Sequence, residues 1–90
     1  MKKTFIISYD VTKGYSFDYK QISDYFKAYG TWAKITESTW AIVTDKKATE
    51  VRDEIVSLLP VDSRVFVIKS GTIGAWRNTI GRSEWLKKHL

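Results

Sequence analysis

The hydrophobic period of this chain switches repeatedly between two and about 3.6 residues, and that alternation constrains its fold more than any other feature. Lys3 to Tyr9 is rich in β-branched and aromatic residues and stops at Asp10, which predicts a strand. Val11 to Phe17 contains Gly14 and Ser16 and reads as a loop. Beyond Asp18 the period lengthens: Ile22, Tyr25, Phe26 and Tyr29 fall at i, i+3, i+4 and i+7, one face of a helix. Asp18 with Gln21 resembles a capping box, and Gly30 supplies the C-terminal stop. Thr31 to Thr36 and Thr39 to Thr44 read as two strands joined by a tight turn at Glu37-Ser38. A second helix, with Asp45 as its expected cap, carries Ala48, Val51, Ile55, Leu58 and Leu59 on one face, and Pro60 forbids its continuation. Arg64 to Lys69 is a fourth strand, Ser70 to Thr79 is irregular, and Ser83 is the expected cap of a short last helix bearing Trp85 and Leu86.

The order β-α-β-β-α-β followed by a tail predicts an α+β protein of the ferredoxin-like type. Residues 1–69 would form the domain, with a four-stranded antiparallel sheet, and 70–90 a basic, Trp-containing tail ending in a short helix. Two helices cover only one face of such a sheet, so its strands should be apolar on one side and polar on the other. These strands are apolar on both. Phe5 and Ile7 oppose Ile6, Trp40 and Ile42 oppose Ala41 and Val43, and Val65 and Val67 oppose Phe66 and Ile68. The second face therefore needs a cover: the tail, another subunit, or both. A symmetric homodimer is the economical solution, because one self-complementary patch suffices.

Composition narrows the chemistry. With no cysteine among 90 residues there is no disulfide, zinc finger, iron–sulfur cluster or thiol nucleophile. The one histidine, His89, is penultimate, so a site of several imidazoles cannot be built within one chain. The start Met1-Lys2-Lys3 is basic, but the apolar run behind it is too short for a signal peptide, and no stretch approaches a membrane span. A cytoplasmic protein without a membrane partner is expected. The net charge of +5 is uneven: residues 1–68 carry ten Lys/Arg against nine Asp/Glu, whereas 69–90 carry five against the single Glu84. A basic tail favours anionic partners such as nucleic acid or a nucleotide.

One family resemblance rests on short motifs in order: the first strand ending Tyr9-Asp10-Val11, the helix closing in Tyr29-Gly30, and Ser38-Thr39-Trp40 opening the third strand. In these, residues 3–69 resemble CRISPR-associated protein two and its stand-alone relatives, including virulence-associated protein D. The resemblance implies a homodimer of ferredoxin-like subunits, acting either as a metal-dependent nuclease on RNA or DNA or as a structural partner in a DNA-handling complex. It also implies that Asp10 holds Mg²⁺ together with its symmetry mate. Relatives carry arginines after that aspartate and along the first helix, where this chain has only Lys13, Lys20 and Lys27.

The candidate catalytic residues are thus Asp10, a hard oxygen ligand able to hold Mg²⁺ that activates water, and Ser38, a hydroxyl near metal or phosphate. Each also has a simpler reading as a turn residue. Lys13, Tyr15 and Lys20 around the first loop, and Arg77, Arg82, Lys87 and Lys88 in the tail, are the candidate nucleic-acid or anion-binding residues. Exposed tyrosines there would stack on bases, each worth roughly 1–3 kcal/mol. Trp76 and Trp85 read mainly as anchors that dock the tail, and Glu37 as a solvated turn charge. Two classes of function follow: the metal-dependent nuclease, and a non-catalytic dimeric binding module for nucleic acid or a small nucleotide, regulatory or directed against host defence in a mobile element.

Overall fold

A computed structural model describes residues 1–12, 17–71 and 73–90. The elements run β1 (Lys3–Asp10), α1 (Tyr19–Lys27), β2 (Trp32–Thr36), β3 (Thr39–Thr44), α2 (Ala48–Val56), β4 (Arg64–Lys69) and α3 (Ser83–His89). The strands form one four-stranded sheet in the order β2-β3-β1-β4, and each neighbouring pair is antiparallel. The architecture is α+β, and no helix among the described residues is long and apolar enough to cross a membrane.

One face of the sheet carries the core. Phe5, Ile7 and Tyr9 of β1 and Trp40 and Ile42 of β3 meet Ile22 and Phe26 of α1 and Val51 and Ile55 of α2. The centre is aromatic: the Phe26 ring stacks on Trp40 at 4.8 Å and on Tyr9 at 6.3 Å. The strand and helix periods account for this set directly, since alternate residues of β1 and the i, i+4 residues of each helix point inward.

The helix ends differ in part from the sequence reading. Asp18 caps α1 by accepting from the Lys20 N–H at 2.9 Å, and Gly30 stops it at φ +80, a conformation that glycine adopts without steric cost. Asp45 does not cap α2. Lys47 holds the cap position, and the Glu50 carboxylate accepts from its N–H at 3.1 Å. Nor does Ser83 cap α3; it is the first helical residue, and its Oγ accepts from Trp76 Nε1 at 3.4 Å. In both cases the expected cap lies one or two residues from the observed one, the usual scale of error at helix ends.

The tail covers part of the second sheet face of its own chain. Leu86 of α3 is 1% exposed, and Ala33 and Ala41, on the side opposite the core, are buried. Thr4 Oγ1 donates to the His89 carbonyl at 2.6 Å, and the Ile80 N–H donates to the Ile35 carbonyl at 3.0 Å. A β-bulge between Lys34 and Thr36 interrupts the β2–β3 ladder at Ile35, which frees that carbonyl for the tail. Gly81 sits where a Cβ would lie 3.1 Å from the Lys34 carbonyl oxygen and 3.2 Å from Ala33 Cβ, so the close crossing favours glycine. The cover is incomplete: Phe66 is 59%, Ile68 49% and Ile73 98% exposed.

Candidate functional site

The C-terminal end of β1 opens into a cavity of about 710 Å³, bounded by the first half of α1 and the β2–β3 turn. Its rim brings together the two candidate catalytic residues. Asp10 is the last residue of β1, and Ser38 is held beside it because the Tyr9 N–H donates to the Ser38 carbonyl at 3.1 Å. Lys20 and Ser23 of α1 enter from the helix, Lys34 and Glu37 from the hairpin, and Tyr9, Tyr19 and Trp40 supply the rings.

The electrostatics are mixed. The Asp10 side chain is 71% exposed, and its carboxylate lies 3.8 Å from the Arg64 guanidinium across the β1–β4 ladder, so its oxygens stay accessible. Lys20 pairs with Asp24 at 2.7 Å, which pushes its ammonium pKa up. Lys34 reaches Glu37 at 3.4 Å and lies 5.7 Å from the centre of the Trp40 ring. Burial pushes the Tyr9 phenol up, while the neighbouring Trp40 indole pulls the other way; the hydroxyls and carboxylates of Tyr19 and Glu37 add to the upward push.

Trp40 holds the one buried polar side-chain atom without a partner among the described residues. Trp40 is 2% exposed, and its Nε1–H makes no hydrogen bond of good geometry, the Tyr9 hydroxyl being the acceptor it approaches. Indole nitrogen is a donor only, and an unmade bond in such a place costs about 1–3 kcal/mol. Two ammonium groups and hydroxyls suit phosphate; the flat rings suit a base; and the Asp10, Glu37 and Ser38 oxygens are hard donors that suit a divalent cation. Among the described residues no three Asp, Glu or His side chains cluster as a ligand set, so a metal here would draw on a second subunit or on the ligand.

The expected tail residues do not line this cavity. Lys13 and Tyr15 lie outside the described residues. Arg77, Arg82, Lys87 and Lys88 are exposed on the tail, with Arg82 in a groove beside Trp32 and Trp85 and Lys87 in another beside Trp76 and Ile68. Sequence reasoning missed Lys34 and the Trp40 N–H and set Glu37 aside. The signal for Lys34 is the register, which places it opposite Trp40, but that register depends on the bulge. A second polar cluster also went unread: Tyr25 and Tyr29 of α1 and Lys46 converge on Glu54 of α2, with Tyr25–Glu54 at 2.7 Å and Lys46–Glu54 at 2.9 Å. It ties the two helices on the far side of the core and holds the Glu54 carboxyl below, and the Lys46 ammonium above, their usual ranges.

The chain matches no protein-family model, no curated protein and no solved structure.

Proposed function

We propose that this chain is a nucleic-acid-binding module on a ferredoxin-like frame, acting as a homodimer, with a phosphate-bearing ligand received in the cavity at the end of β1. The observation that carries the reading is the convergence of Lys20, Lys34 and Ser38 with the side chains of Tyr9, Tyr19 and Trp40 on one opening. Its volume lies in the range of small-ligand sites, which run from about 300 to 1,000 Å³. The ferredoxin-like assignment is supported by the element order together with the sheet order, in which β3 lies between β1 and β2 and β1 between β3 and β4. The dimer is supported by Phe66, Ile68 and Ile73, apolar side chains that the tail leaves in water.

Phosphodiester cleavage is a second reading, favoured by Asp10 and Ser38 sharing that cavity. The resemblance to CRISPR-associated protein two supports it. Asp10 of each subunit would hold Mg²⁺, with Ser38 placed to orient a phosphate. A bound Mg²⁺ would supply an activated water.

Labelled RNA and DNA strands titrated with and without Mg²⁺ test both. The binding reading expects saturable binding, weakened several-fold by Lys20→Ala, with affinity for Asp10→Asn held or raised because a repulsive charge is gone. Cleavage that needs Mg²⁺ and falls at least roughly a hundredfold in Asp10→Asn would establish the nuclease reading instead. Light scattering across a concentration series checks the dimer, and a strictly monomeric mass at micromolar protein would refute it.

A further inference from the structure

A second groove, about 330 Å³, lies where the tail crosses the β2 edge, lined by Trp32, Lys34, Gly81, Arg82 and Trp85 with the neighbouring alanine and isoleucine. From its composition we infer that it is a stacking site for a base of single-stranded nucleic acid; this rests on the nucleic-acid reading and names the form of the partner. His89 packs against the Trp85 ring at 4.6 Å and does not itself line the groove. Trp32 lines the groove from the core side of the β2 edge and is held in place, its ring 5.7 Å from Trp40 and under the Lys27 ammonium at 5.7 Å.

Among the described residues the charged side chains that line the groove, Lys34 and Arg82, are both cationic, and Lys27 lies over the Trp32 ring. Glu37, paired with Lys34, belongs to the neighbouring cavity. Aromatic walls among cations match the chemistry of an unpaired strand, whose bases offer π faces and whose backbone offers phosphates. A duplex keeps its bases stacked inside and cannot present one to a recess of this size. Lys34 lines both the groove and the β1-end cavity, so a strand with one base against Trp85 carries its next phosphates toward Lys34 and the cavity. The tail is thereby more than a lid: Gly81 and the Ile80–Ile35 hydrogen bond fix the groove's geometry.

The test compares oligothymidine with a duplex of equal length, by fluorescence anisotropy, for wild type, Trp85→Leu, Trp85→Phe and Arg82→Gln. Trp85→Leu keeps apolar volume but no ring, so strand affinity should fall at least about fivefold, while Trp85→Phe retains most of it. Arg82 is exposed, and its loss should leave the melting temperature unchanged while making the salt slope shallower by about one. If wild type binds the strand and all three variants bind it equally well at equal slope, the groove is not the site, although the nucleic-acid reading stands. A wild type that prefers the duplex would overturn the inference also. If wild type binds neither, the nucleic-acid reading fails and takes the groove with it.

Discussion

Leu86→Ala should unfasten the tail. Leu86 is 1% exposed at the centre of α3, against the sheet face that carries Ala33 and Ala41. Leu86 borders a groove with Ile6 and Ile68 of that face and Trp76 of the tail. Truncating a fully buried leucine costs about 2–5 kcal/mol, transfer and cavity combined. The upper half of that range requires a rigid pocket. α3 is seven residues long and is held by the Thr4–His89 and Ile80–Ile35 hydrogen bonds, so it can settle partly into the gap. We therefore expect about 2–3 kcal/mol, near the lower end. A domain of this size has only about 5–13 kcal/mol in total, and each kcal/mol moves Tm by about 4–8 °C. The melting temperature should fall by about 10–20 °C, followed by far-ultraviolet circular dichroism and repeated in urea to separate a shift in midpoint from a change in slope. A loss below about 1 kcal/mol would mean that Leu86 is not buried in solution and that the second face is covered by something other than its own tail.

Three further outcomes follow from particular contacts. Gly81→Ala places a methyl against Lys34 O and Ala33 Cβ, so it should destabilise by about 1–3 kcal/mol in thermal melts and reduce binding at the β2-edge groove. The Glu54 carboxyl has a lowered pKa when folded, so it contributes stability that is present above its unfolded value and lost as pH falls through the folded one. Melts below about pH 4 should therefore narrow the gap between wild type and Glu54→Gln, which should be widest near neutrality. Phe66→Lys, on the exposed part of β4, should leave the monomer fold intact and lower the dimer mass in light scattering.

The elements themselves were legible because each obeys a single period. Thr39–Thr44 and Arg64–Lys69 read correctly to the residue, bounded by a turn on one side and a proline segment on the other. The excess of apolar residues on both strand faces pointed to a cover for the second face, and Leu86 supplies part of it. The caps at Asp45 and Ser83 were misread because several adjacent residues can fill a cap, and tertiary packing chooses among them. The site was legible only in part. Asp10 and Ser38 announce themselves as polar residues ending a strand and making a turn, but Lys34 does not. A two-residue turn at Glu37-Ser38 with regular pairing would set Lys34 opposite Ala41; the bulge at Ile35 shifts it to Trp40 and into the cavity. The unpaired indole N–H is a property of the packed core and has no local sequence signature at all.

The most direct test of the β1-end cavity is an amide and indole chemical-shift titration of the full chain with a short oligonucleotide. The Trp40 Nε1–H resonance reports on the buried indole, and Tyr9, Asp10, Lys20, Ser23 and Ser38 line the same cavity as its ring. Binding in the cavity predicts a move of the Trp40 indole proton together with shifts at the amides of those five residues, saturating at one common affinity. Saturable binding that leaves the Trp40 indole and all five amides unmoved, with changes confined to Lys87, Lys88 and their neighbours, would contradict it.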